Sequence, residues 1–188
     1  MIQQLPNLIT ILRVILVIPL VWLLHQERYY EAIWIFFIAG ISDGIDGFLA
    51  KTFKWESRFG AILDPLADKA LLVFTMLMLC LNQKLSWWLF ALVTARDVMI
   101  ITGAYLYHRA LGPYRMSPSR LSKANTFLQI LLVVSILVSL GLYALPEWLL
   151  MIITALVYLS TILSGIYYVI VWGGRYRRHK RLQAKGDE

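Results

Sequence analysis

Cysteine, histidine and charge are all scarce in this chain. Of its 188 residues only Cys80 is a cysteine, which excludes an intramolecular disulfide and leaves no thiolate pair to hold a metal. Set in an apolar run, Cys80 reads as a small buried side chain. The three histidines, His25, His108 and His179, fall in predicted connections or in the tail and read as surface residues. Charged residues make up 15% of the chain, well below the roughly one quarter of a soluble domain. What fills the gap is apolar: 60% hydrophobic and 13% aromatic residues, with a mean hydropathy of +0.68. This composition argues against a water-soluble enzyme. At about 20 residues per crossing, the length accommodates roughly six to seven transmembrane helices.

Two segments, Ala124 to Pro146 and Trp148 to Gly174, carry no charge and are long enough to cross the hydrocarbon core. Four more read as helices with charges near their ends or on one face: Leu8 to Leu24, Ala32 to Ala50, Phe59 to Leu81 and Leu85 to Tyr107. The pattern predicts an all-α integral membrane protein of six transmembrane helices. The first segment holds Arg13, lacks a basic stretch before it and shows no small-x-small site before Gln26, so it is expected to be a retained helix rather than a signal. No internal repeat and no linker breaks the chain, and residues 1–188 are expected to form one domain.

The 18 basic residues outnumber the 11 acidic ones, and their placement is uneven. Arg28 and Lys84 are the basic residues of the odd connections. The second connection has Lys51, Lys54 and Arg58, and the fourth has Arg109, Arg115, Arg120 and Lys123. The tail of about 175–188 has Arg175, Arg177, Arg178, Lys180, Arg181 and Lys185. This bias predicts cytoplasmic termini, with Trp22, Trp34, Trp87, Trp88 and Trp148 at the outer interface and Trp55 and Trp172 at the inner one. The basic tail serves that topology, with attraction to anionic lipid as an added role; nucleic acid is not an expected partner.

Ionisable groups inside a membrane are costly and mark functional sites. Asp43, Asp46, Gly47 and Ala50 recur at i, i+3, i+4 and i+7, one stripe near the cytoplasmic end of the second helix. Gly60, Asp64 and Asp68 recur at i, i+4 and i+8, a second stripe at the start of the third. The short connection makes the two helices antiparallel neighbours, so the acids sit at similar depth and predict an active site at the cytoplasmic ends of helices 2 and 3. Four crowded carboxylates would repel and take up protons unless compensated. A pair of divalent cations matches their charge, and all-oxygen ligation suits Mg²⁺ or Mn²⁺. Paired hard metals point to phosphoryl transfer. Gly47, Ala50 and Gly60 remove bulk beside the acids, whereas Gly40 and Gly44 form a GxxxG that reads as helix packing.

These residues resemble the CDP-alcohol phosphotransferases, whose signature is D-x2-D-G-x2-A-R-x8-G-x3-D-x3-D. Asp43, Asp46, Gly47, Ala50, Gly60, Asp64 and Asp68 match it in identity and spacing, and Lys51 replaces its arginine with another cation. The resemblance extends over most of the chain, since the family core is six transmembrane helices, and Pro6, Asn7, Thr10 and Arg13 look like the amino-terminal pattern of bacterial members. It implies that Asp43, Asp46 and Asp64 hold a metal pair on the pyrophosphate of CDP-diacylglycerol, with Asp68 as further ligand and general base. It also implies that Gly47, Ala50, Lys51 and Gly60 form the nucleotide pocket. A homodimer in a bacterial inner membrane is implied as well.

Two glycerol-based acceptors remain. Phosphatidylglycerophosphate synthases typically carry two further cations, where this chain has Ala104 and Asn125. Arg96-Asp97 with Gly103, and Ser122-Lys123 followed by Asn125-Thr126, look like cardiolipin synthases of the mitochondrial type. Fewer cations suit phosphatidylglycerol, with its single diester charge, better than glycerol-3-phosphate. Arg96, Arg120 and Lys123 are the candidates for binding the acceptor or lipid phosphate. A cation or proton transporter is the alternative of another class. Transporter sites usually lie at the bilayer midplane, often between inverted repeats, and neither feature is present here.

Overall fold

The computed structural model describes the backbone of residues 5–53, 60–111 and 119–186, and the side chains of 11–42, 69–103 and 119–171. Among the described residues there are six helices: α1 (Leu5–His25), α2 (Tyr29–Phe53), α3 (Gly60–Leu81), α4 (Trp87–Leu111), α5 (Arg120–Gly141) and α6 (Glu147–Gly186). Arg120–Gly141 and the Glu147–Val171 part of α6 are long and apolar enough to cross a membrane. The chain groups into two compact units, Met1–Ser86 with Ile130–Leu150, and Trp87–Gln129 with Met151–Glu188.

In the first unit α1 packs against both α2 and α3. Its buried face is Arg13, Val17, Leu20 and Leu24, and that of α2 is Tyr29, Ala32, Ile33, Phe36 and Ala39, both at helical spacing. The turns after α1 and α3 are built alike. Glu27 and Gln83 take left-handed backbone with φ of 56° and 58°. Arg28 N–H then bonds the Leu23 carbonyl at 2.9 Å, and Lys84 N–H the Leu79 carbonyl at 2.8 Å. Each is a Schellman stop made without glycine. Asn82 pins the two turns together, its Nδ2 donating to the Leu24 carbonyl at 2.7 Å and to Tyr29 Oη at 3.2 Å. Beside this joint, the exposed Arg28 guanidinium bonds Glu31 and holds its carboxyl below the usual range.

Close backbone approach fixes the end of α5. A Cβ at Gly141 would stand 2.7 Å from the Tyr29 carbonyl carbon. The apolar run predicted this helix to extend to Pro146. It stops at Gly141, beyond which Pro146 disfavours the helical region for Leu145, whose amide turns back to Ser139 Oγ at 3.2 Å. At its start α5 is longer than predicted. Ser119 caps it, its Oγ accepting the Ser122 amide at 3.1 Å, a standard N-cap bond. Arg120 and Lys123 are thereby corrected from the fourth connection to the first turn of α5. The basic tail is helical: α6 continues as one helix to Gly186, through Arg, Lys, Gln and Ala, which are good helix formers. Within one chain a Cβ at Gly40 would meet nothing within 4 Å, so Gly40 makes no close helix contact there; Gly44 lies outside the described side chains.

The distribution of polarity is inverted relative to a water-soluble protein. Arg13, Arg96, Asp97, Asn125, Gln129, Ser160, Thr161 and Ser164 are buried, whereas Ile18, Trp88, Met151 and Ile170 are among many large apolar residues that are exposed. Such a surface is matched to hydrocarbon.

Candidate functional site

The joint at Asn82 orients the helices that carry the acidic stripes. It ties the start of α2 to the end of α3, so Asp43 and Asp46 lie in the far half of α2 and Asp64 and Asp68 in the far half of α3. Counted along the helices from Tyr29 and Leu81, all four positions lie about 20–26 Å from the joint at 1.5 Å per residue. The backbone therefore brings both stripes to one level, at the end joined by residues 54–59. The side chains of Asp43, Asp46, Gly47, Ala50, Lys51, Gly60, Asp64 and Asp68 lie outside the described residues, as do those of Pro6, Asn7 and Thr10. Arg13 is wholly buried in α1. Among the described residues no three His, Cys, Asp or Glu side chains converge as a metal site.

The second unit contains a built polar cluster centred on Arg96. The side chain is 5% exposed, and three parts of its guanidinium are engaged. Nη1 donates to Asp97 Oδ1 at 2.8 Å, Nη2 to Ser122 Oγ at 2.7 Å, and Nε to Ser164 Oγ at 3.1 Å, with Nη2 sharing that last oxygen. The Tyr168 ring centroid lies 5.8 Å from Arg96 Cζ, a cation–π distance, and Tyr168 Oη accepts the amide of the capping Ser119 at 3.5 Å. One cation thus links α4, α5 and α6. In a low-dielectric interior such a charge is held only by a partner and a full set of hydrogen bonds.

A second polar layer follows on the same face of α5. Asn125 is fully buried, and its Oδ1 accepts from Ser160 Oγ at 2.8 Å and Thr161 Oγ1 at 2.9 Å. Beside it, α4 and α6 enclose an open groove of about 430 Å³, lined by Leu92, Met99, Thr161, Ile162, Gly165 and Ile166 among others, with Arg96 in one wall.

Of the three predicted acceptor cations, Arg96 belongs to this cluster, whereas Arg120 and Lys123 are exposed on the first turn of α5. Sequence reasoning missed Ser122, Ser164 and Tyr168 as partners of Arg96. The signal available was the stripe Ser160, Thr161, Ser164 and Tyr168, polar residues at helical spacing in an otherwise apolar span.

Comparison with known proteins matches residues 3–164 to a family described as CDP-alcohol phosphatidyltransferase. A fission-yeast (Schizosaccharomyces pombe) protein named cardiolipin synthase (CMP-forming)/mitochondrial hydrolase fusion protein is 35% identical over 144 residues, 68% of this chain and 24% of its own length. The rat (Rattus norvegicus) cardiolipin synthase (CMP-forming) is 32% identical over 68% of this chain, which spans 48% of that protein. A Blochmanniella floridana CDP-diacylglycerol–glycerol-3-phosphate 3-phosphatidyltransferase is 32% identical over 88% of this chain and 89% of its own length. The chain thus spans about half or less of the two cardiolipin-synthase relatives and nearly all of the bacterial one.

Proposed function

This chain belongs to the CDP-alcohol phosphatidyltransferase family, and we propose that it transfers a phosphatidyl group from CDP-diacylglycerol to a hydroxyl of a glycerol-based acceptor. The acceptor we favour is phosphatidylglycerol, giving cardiolipin and CMP. The observation that carries this reading is the signature itself: Asp43, Asp46, Gly47 and Ala50 on α2, with Gly60, Asp64 and Asp68 on α3, at one level of one helical unit.

The family is divalent-cation dependent, and the donor set here fits hard cations: four carboxylates, two on each of two helices, with no sulfur or imidazole in the stripes. In this reading Asp43, Asp46, Asp64 and Asp68 hold a pair of Mg²⁺ or Mn²⁺ ions. When bound, such ions neutralise the pyrophosphate and stabilise charge on the attacking and leaving oxygens. Asp68 removes the proton from the acceptor hydroxyl as its oxygen bonds to the β-phosphorus and the bond to CMP breaks. Gly47, Ala50 and Gly60 leave room for the nucleotide, and Lys51 adds a cation beside it. Arg96 meets the acceptor's phosphate with a guanidinium whose orientation is already set by Asp97, Ser122 and Ser164. Arg120 and Lys123 draw anionic lipid to the mouth of the site.

All six helices cross the membrane in this reading, with both termini and the acidic stripes on the cytoplasmic side of a bacterial inner membrane. The chain acts as one catalytic domain within a homodimer. Glycerol-3-phosphate is the second reading, favoured by the relative that this chain spans almost end to end. Purified protein given CDP-diacylglycerol, Mg²⁺ or Mn²⁺ and either acceptor separates the two. Cardiolipin from phosphatidylglycerol supports the first, product from glycerol-3-phosphate alone supports the second, and no CMP release with either overturns both.

A further inference from the structure

Two buried amides on α5 have N–H donors without a hydrogen-bond partner among the described residues. Asn125 is fully buried and Gln129 is 2% exposed, and at i and i+4 they share one face of the helix. The oxygen of Asn125 is taken by Ser160 and Thr161, which turns its nitrogen away from α6. Asn125 Nδ2 and Gln129 Nε2 have no hydrogen-bond partner among the described residues. In a helix crossing hydrocarbon, water is not at hand to satisfy such N–H groups, and leaving them unpaired is costly. Among the described residues, contact between helices accounts for Oδ1 of Asn125 and for neither nitrogen.

The chemistry of the missing partner follows from the donors. Amide N–H groups are neutral and suit a neutral oxygen, whereas phosphate dianions are met by cations. The cation of the same face, Arg96, lies one layer nearer the cap at Ser122 and meets the phosphate charge there. Counted from the cap at Ser119, the two amides lie about 9 and 15 Å into the helix, below the charged layer at Ser122. Thr161 connects this position to the apolar groove, since its hydroxyl bonds Asn125 and its side chain lines the groove wall. The groove runs from Thr161 to Ile170, so a lipid lying in it reaches Asn125 from the capped end of α5.

We propose that Asn125 and Gln129 form a binding site for an uncharged oxygen of a glycerolipid, either a headgroup hydroxyl or an ester carbonyl. The site deepens the reading of this chain as a glycerolipid enzyme and rests on it. It sets a preference for a neutral contact at this depth, and Gln129 is a specificity-determining residue that the signature does not include.

The test is thermal unfolding of the purified full chain in detergent, titrated with phosphatidylglycerol or with phosphatidic acid, which has the esters but not the headgroup glycerol. Gln129→Met keeps the volume and removes the donor without breaking any bond described above. It is expected to weaken phosphatidylglycerol binding about tenfold. Asn125→Leu is the second variant; Ser160 keeps the Val157 carbonyl as a partner but Thr161 loses its acceptor, so lipid binding is read against this variant's own lipid-free midpoint. Weakened binding of both lipids assigns the ester carbonyl, and weakened binding of phosphatidylglycerol alone assigns the hydroxyl. Unchanged binding of both lipids in folded Gln129→Met overturns the proposal and leaves a buried water as the partner. CMP release by the wild-type chain, measured separately, tests the enzymatic reading itself.

Discussion

Arg96 and Ser164 stand 68 positions apart in the chain, and two nitrogens of the Arg96 guanidinium donate to the one Ser164 hydroxyl. With Ser122 and Asp97 on its other arms, the arginine holds three helices by geometry as much as by charge. Lysine has no planar fork and cannot reproduce that set. Arg96→Lys is expected to destabilise the protein by about 2–4 kcal/mol and Ser164→Ala by about 1–2 kcal/mol, read as lowered unfolding midpoints in detergent. Equal midpoints for Arg96→Lys and wild type would contradict the assignment.

The turn at Gln83 offers a gain instead of a loss. A non-glycine residue at φ 58° is held in a region that glycine occupies without strain. Gln83→Gly is expected to stabilise by about 0.5–1 kcal/mol and Gln83→Val to destabilise by a similar or larger amount. Opposite shifts in thermal midpoint would check this.

Two glycines make a matched pair of tests. A Cβ at Gly141 would collide with the backbone of Tyr29 at 2.7 Å, whereas one at Gly165 would meet only Met99 Cε at 3.6 Å and Arg96 Cγ at 4.0 Å. Gly141→Ala is expected to cost about 1–3 kcal/mol and Gly165→Ala to fall within about 0.5 kcal/mol of wild type. Comparable midpoints for the two variants would be inconsistent with the close approach at Tyr29.

At the acidic stripes the expected effect is on rate. Asp68→Asn should lower CMP release by a factor of about 10² to 10⁴ while leaving the fold and nucleotide binding intact. Chelation should abolish release, and Mg²⁺ or Mn²⁺ should restore it. An Asp68→Asn protein as fast as wild type would remove Asp68 from the role of base.

Much of this was legible from residue order, and the reasons differ by element. Hydropathy located six helices because each carries a long apolar stretch, and two of them, Arg120–Gly141 and the Glu147–Val171 part of α6, are long and apolar enough to cross a membrane. The same signal misplaced the end of α5: Leu142 to Leu145 remain apolar while Pro146 and the contact of Gly141 with Tyr29 stop the helix. Its start is hidden by Arg120 and Lys123, whose charges read as a connection, although Ser119 with Ser122 three positions later marks a cap. The Schellman stops could not be read, because Glu27 and Gln83 stand where glycine gives the usual signal. The acidic stripes announced themselves through spacing. The partners of Arg96 did not, since Ser122 and Ser164 are distant in sequence and each is an unremarkable hydroxyl in an apolar helix.

The inverted distribution of polarity has a consequence for what holds this molecule together. When helices separate within lipid, the buried Leu, Ile and Val side chains merely exchange one hydrocarbon neighbour for another, so the hydrophobic effect does little to keep the helices together. Cohesion must come from the few contacts that lipid cannot imitate: a guanidinium bonded across three helices, an asparagine clasped by two hydroxyls, an amide bridging two turns. Replacing interior polar groups with leucine, which strengthens many water-soluble cores, would here loosen the assembly.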